Sequence, residues 1–230
     1  MVSKRQSFHL KIFFVTSLIF CFLGCETVPG KNTILNLVNL GEKPTPSFSQ
    51  YKSAEPGIQS IHKVLIIPFT SKNGPEIEGE MVTQTFTVEL GKIDLFRIIN
   101  PTTVPGELAE AGTVFWDTGS IDLDLLLAAQ KKYGVDAFIF GDVTHYKPYV
   151  PLVLGVRLMM VSGISGEVVW SVDGVFDSDQ KDVVNFAKGY YKKFYRKDQS
   201  LYGWEKVLIS MQRYTRFVAN MMVSTLNNKD

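Results

Sequence analysis

Lys131-Lys132-Tyr133-Gly134-Val135-Asp136-Ala137-Phe138-Ile139-Phe140-Gly141-Asp142-Val143 carries the sharpest structural signal in the chain. The two lysines suit the last turn of a helix, and Gly134 stands just beyond it, where glycine accepts the backbone turn that ends helices. Ala137 to Val143 is then too continuously apolar to alternate, which predicts a strand buried on both faces. A helix leading at once into such a strand belongs to an α/β layer.

Upstream, Asp117-Thr118-Gly119-Ser120 precedes that helix. Ser120 is read as its cap, with Asp122 and Asp124 in the first turn at the positive end of the dipole. His62-Lys63-Val64-Leu65-Ile66-Ile67-Pro68-Phe69 is another two-faced strand. Asn73-Gly74-Pro75 then suits a helix entry. In the next fifteen or so residues, Thr83, Thr85, Thr87 and Val88 favour a strand. Ile77, Met81, Val82, Phe86 and Leu90 nevertheless keep a helical stripe, and we read a helix ended by Gly91. Phe96-Arg97-Ile98-Ile99-Asn100-Pro101 is a short strand stopped by proline, with a loop and a helical turn near 107–111 after it.

Downstream, residues 152–161 and 167–176 flank Ser162-Gly163-Ile164-Ser165-Gly166 and read as a β-hairpin. Two helices close the chain. One, over 179–197, carries Val183, Phe186, Tyr190 and Phe194 on one face; the other, over 204–226, carries Val207, Met211, Tyr214, Val218 and Met222. The order β-α-β-α-β-β-β-α-α predicts a single three-layer α/β domain with a mixed sheet over 62–227.

The N-terminus is of a different kind. Lys4 and Arg5 precede an apolar run over 12–23, too short for the ~20 residues of a membrane-spanning helix but suited to the core of a secretory signal. It ends at Leu23-Gly24-Cys25, which resembles the bacterial lipoprotein signal, although Phe22 stands where that signal usually has leucine. The resemblance implies a signal over 1–24 and a mature N-terminus at Cys25, acylated with palmitate-type chains. Cys21 follows bulky Phe20 and does not serve. Glu26 next to Cys25 is not the aspartate that retains enterobacterial lipoproteins at the inner membrane, which favours the outer one. Residues 25–61, with Pro29-Gly30, Pro44, Pro46 and Pro56-Gly57, read as a tether. Inside it, Ile34-Leu35-Asn36-Leu37-Val38-Asn39-Leu40 is apolar enough to dock on the domain or a partner.

Bulk composition narrows the function. The chain has 24 basic and 23 acidic residues; removing Lys4, Arg5 and Lys11 with the signal leaves 21 basic, a net charge of about −2. That gives no general affinity for nucleic acid. Both of the 2 cysteines lie at or before position 25, so the domain has no disulfide framework and no thiolate metal site. No nucleophile elbow, H-E-x-x-H, P-loop or dinucleotide fingerprint is present. Asp142, His145 and Tyr146 form a small polar group at a strand end, the one place for an unrecognised enzyme site. Asp117, Asp122 and Asp124 lack calcium-loop spacing and are better explained as helix-end residues. We expect no metal, no cofactor and no catalysis.

The remaining unusual stretch is Lys188-Gly189-Tyr190-Tyr191-Lys192-Lys193-Phe194-Tyr195-Arg196-Lys197. Basic residues interleaved with aromatics can bind single-stranded nucleic acid, which an exported protein does not normally meet. Three readings stay open: a helix lying on anionic headgroups, a docking face for protein or cell-wall glycan, and an ordinary core helix with its lysines in water. Tyr190, Tyr191, Lys192, Lys193, Tyr195 and Arg196 are the candidate partner contacts.

Three motifs carry a family resemblance: the opening Lys63-Val64-Leu65-Ile66-Ile67-Pro68-Phe69, the passage from Tyr133 to Val143, and the hairpin return Gly166-Glu167-Val168-Val169-Trp170-Ser171. Over roughly 62–178 they resemble the CsgG/PelC/LpoB-like periplasmic lipoprotein domains, to which the TolB N-terminal domain is similar in fold. Ser162-Gly163-Ile164-Ser165-Gly166 stands where that family has an Asp-x-x-Thr-Gly turn, and the spacing leaves no room for the long hairpins of CsgG-like pores. The resemblance implies a non-catalytic envelope component, anchored through Cys25, that assembles with itself or docks on an export or wall-building machine. It brings no catalytic residues.

Overall fold

A computed structural model describes residues 48–53, 57–71, 76–99, 104–195 and 202–227. Cys25, the Ile34-to-Leu40 run, the Asn73-Gly74-Pro75 entry and Arg196 lie outside the described residues. Within them, the two-sided strand runs as β4, Ala137–Lys147, longer than its apolar core because it continues as a hairpin arm. The other elements in chain order are β1 (Phe48–Lys52), β2 (Lys63–Ile66), α1 (Glu76–Leu90), β3 (Arg97–Ile99), α2 (Gly106–Thr118) and α3 (Leu123–Tyr133). After β4 come β5 (Val153–Ser162), β6 (Val168–Asp177), α4 (Lys181–Phe194), α5 (Glu205–Ile209) and α6 (Met211–Val223).

The described strands form one mixed sheet in the order β1-β6-β5-β4-β2-β3. β2 pairs in parallel with β3 and β4, whereas β4, β5, β6 and β1 pair antiparallel. Alternate residues of β2 and β4 feed two separate cores. Val64, Ile66, Ala137, Ile139 and Val143 pack with Val82, Phe86 and Leu90 of α1, Val183 and Ala187 of α4, and Tyr214, Phe217 and Met222 of α6. Leu65, Ile67, Phe138 and Phe140 pack with Leu108 and Ala111 of α2 and Leu126 and Ala129 of α3. Helices thus cover both faces. Each fully buried aliphatic or aromatic side chain contributes roughly 1.5–3 kcal/mol.

The entry to β4 is tied down by Asp136. Its carboxylate accepts from the backbone amides of His62 and Lys63, each at 2.9 Å. Its own amide donates to the Lys63 carbonyl at 2.8 Å, and its carbonyl accepts from Gly163 at 2.8 Å.

Several sequence expectations need correction. β1 lies in the stretch read as tether yet belongs to the sheet, paired with β6 from Phe48 opposite Gly174 to Lys52 opposite Trp170. Its mostly exposed, polar residues gave no alternation to detect, and only Phe48 packs inward, beside Phe176. The helical turn near 107–111 is a full helix, α2. Gly106 and Gly112 weaken its intrinsic propensity, but a side chain at Gly112 would come to 3.0 Å from Phe140, so the glycine is what allows the helix to settle on β4.

Asp122, not Ser120, caps α3: its Oδ1 accepts from the amides of Asp124 and Leu125 at 2.9 and 3.3 Å, because the helix starts at Leu123. The last predicted helix is broken at Ser210, whose backbone is extended (φ −125°, ψ 113°), into α5 and α6. The turn Ser224–Leu226 after α6 is fastened to the sheet by Trp170 Nε1 donating to Thr225 Oγ1 at 2.9 Å.

This packing can be tested at two buried positions. A Cβ at Gly141 would lie 2.5–2.7 Å from ring atoms of buried Phe69. Gly141→Ala is therefore expected to cost about 1–3 kcal/mol, lowering the urea midpoint at unchanged m, and an unchanged midpoint contradicts the contact. Tyr214 is fully buried, and its hydroxyl has no hydrogen-bond partner among the described residues. Burial, and then the charge of Asp177, hold its phenol above its ordinary pKa. A raised pKa favours the neutral form in the fold, so this stability is present below pH ~10 and is lost as pH rises beyond it. Tyr214→Phe is expected to raise neutral-pH stability by about 1 kcal/mol and to flatten the alkaline loss, in urea titrations run against pH. An alkaline limb identical to the parent's contradicts the assignment.

Candidate functional site

The polar group predicted at the end of β4 does not come together. Asp142 is buried, and both carboxylate oxygens are engaged. Oδ1 accepts from Thr70 Oγ1 at 2.7 Å, and Oδ2 accepts from Arg157 Nε at 3.0 Å, with Arg157 Nη2 at 2.9 Å. Arg157 stands directly across on β5, and its guanidinium lies 4.5 Å from the ring centre of Trp116 on α2. His145 is exposed beyond a register shift in the β4–β5 pairing, with Thr144 Oγ1 as its neighbour at 3.2 Å. Tyr146 lies partly buried on the other core, near Met81. A buried carboxylate held by arginine, threonine and the local sheet is a structural ion pair, in which each charge offsets the desolvation of the other.

Asp122 is spent on the α3 cap, and His62 uses its backbone amide on Asp136. Among the described residues no group of three His, Cys, Asp or Glu could hold a metal ion. Among them, too, no helix is long and apolar enough to cross a membrane.

α4 holds five of the six candidate partner contacts or leads into them. Its buried side is Val183, Ala187 and Tyr190, and its last turn carries Lys192 and Lys193. Tyr190 packs against Phe194, Tyr195 and Phe217, with ring centres 4.9, 6.0 and 5.6 Å away. It belongs to the core rather than to a contact surface, and burial, then Tyr195 and Glu89, push its phenol upward. Tyr191 and Tyr195 are half-buried and stacked, centres 5.5 Å apart at 13°. Arg216 of α6 shares a side-chain hydrogen bond with Tyr195, which raises the arginine's pKa. Lys192 and Lys193 are exposed, and Lys193 lies over Phe194.

Sequence reasoning missed the partner of this helix. Lys188 lies over the indole of Trp204, 4.5 Å from the ring centre. The turn that brings Trp204 there contains Gly203 at φ +50°, and Tyr202 beside it is 65% exposed. Phe194, assigned to the core from its spacing, is 46% exposed, because it falls at the end of α4. The resulting surface is basic and aromatic.

No family model matches the chain, and no curated protein matches it. Solved structures do. The PelC dodecamer from Paraburkholderia phytofirmans is similar at 16% identity over 60% of this chain and 86% of that one, with a TM-score of 0.40. The hypothetical protein CT253 from Chlamydia trachomatis is similar at 13% identity over 71% of this chain and 99% of that one, with a TM-score of 0.42. LpoB of E. coli is similar at 13% identity over 66% of this chain and 83% of that one, with a TM-score of 0.33. PelC and LpoB are both among the proteins that the sequence motifs resemble.

Proposed function

We propose that this chain is a lipid-anchored envelope protein, facing the periplasm from the outer membrane, whose domain acts by assembly and docking rather than by catalysis. The observation that carries the reading is Leu23-Gly24-Cys25 at the end of a short apolar run preceded by basic residues. The fate of the polar residues supports it. Asp142 is bound by Arg157 and Thr70, Asp136 by backbone amides and Asp122 by the amides of the helix it caps. Groups so engaged hold a fold together and are poorly placed to move protons. The partners on this reading are proteins of an export or cell-wall machine, or further copies of the chain. Stable attachment then rests on the several acyl chains of a lipoprotein, since one chain binds membranes only marginally.

Detergent phase partitioning of the full chain expressed in a bacterial host tests the anchor. The parent is expected in the detergent phase and Cys25→Ser in the aqueous phase or as uncleaved precursor. A processed Cys25→Ser protein that still enters the detergent phase contradicts the proposal.

A further inference from the structure

The solvent side of α4 has a composition that neither the core nor the fold requires. At 100° per residue, Lys181, Lys188 and Lys192 fall within roughly 40° of one another, opposite buried Val183, Ala187 and Tyr190. Lys193 lies off this stripe, about 100° round the helix from Lys192 and on the side of Asp182. None of the three stripe lysines makes an ion pair among the described residues, and the helix's one acid, Asp182, lies off the stripe. A cluster of this sign stands out in a mature chain whose net charge is about −2. Aromatic residues of the turn before α5 border it: Trp204 lies beneath Lys188, and Tyr202 is 65% exposed.

Lysines without ion-pair partners beside an exposed tyrosine are the chemistry of a bilayer interface. Ammonium groups meet anionic headgroups, while amphipathic rings sit at headgroup depth. We propose that the Lys181/Lys188/Lys192 face of α4, with Tyr202, rests on anionic phospholipid of the bilayer that holds the Cys25 lipid. This rests on the anchor reading for its proximity. Residues 26–47 join Cys25 to β1 and span at most on the order of 75 Å even fully extended, so the anchor keeps the face at a high local concentration of headgroups.

The test uses the full lipid-anchored chain in vesicles, with Asn185→Cys on the lysine side of α4 carrying an environment-sensitive dye. Emission is expected to shift to the blue when phosphatidylglycerol is added to phosphatidylcholine, and to return at high salt. Each lysine near an anionic surface favours contact about fivefold, so Lys181→Gln/Lys188→Gln/Lys192→Gln is expected to lower the docked-to-undocked ratio on the order of a hundredfold. The glutamate triple variant is expected to lose contact further still, and that graded loss separates charge from misfolding. Equal emission in the two vesicles, a response retained by the glutamate variant, or a response that requires added membrane protein overturns the proposal. Flotation with vesicles at high salt reports the lipid anchor separately. A chain that floats without a dye response retains its anchor and loses this face.

Discussion

One carboxylate, that of Asp136, sets the register on which the rest of the sheet depends. It holds the amides of His62 and Lys63 while its own peptide group bonds Lys63 and Gly163. Three chain segments distant in sequence, the start of β2, the start of β4 and the β5–β6 turn, are thereby fixed at one point. Parallel pairing needs such a point, because no tight turn sets its register as a hairpin does. With Val64 opposite Ala137, the alternation of both strands delivers one set of side chains to α1, α4 and α6 and the other to α2 and α3. A slip of one residue would exchange the two sets and leave both cores mismatched.

That constraint explains which parts of the fold were legible. β2 and β4 announce themselves because strands buried on both faces must be continuously apolar, and the β5–β6 hairpin because two strand-like runs flank a Ser/Gly turn. α3 is bounded by charges and glycine that act locally. β1 is an edge strand held mainly by backbone hydrogen bonds, and its side chains record little of that pairing. α2 depends on Gly112 meeting Phe140, a contact between distant residues that local propensity cannot register. The break at Ser210 is likewise set by packing, with Val207 buried and Ile209 exposed in the short helix that precedes it.

The candidate site was legible in composition but not in partnership. The basic-aromatic run is visible in the sequence, but Trp204 and Arg216, which order it, come from other elements. Asp142 likewise stands out as a polar residue in an apolar strand. Only the antiparallel pairing with β5 shows that it faces Arg157 rather than His145. In both places the fold converts a list of reactive residue types into fixed scaffolding with a charged outer surface.

A lipid on Cys25 would hold such a domain at the membrane, and the most direct test is mass spectrometry of the mature protein extracted from membranes. The expected N-terminal peptide begins at Cys25 and carries a diacylglyceryl group, with or without an amide-linked acyl chain. A mature peptide that begins elsewhere, or an unmodified Cys25, would contradict the lipid anchor.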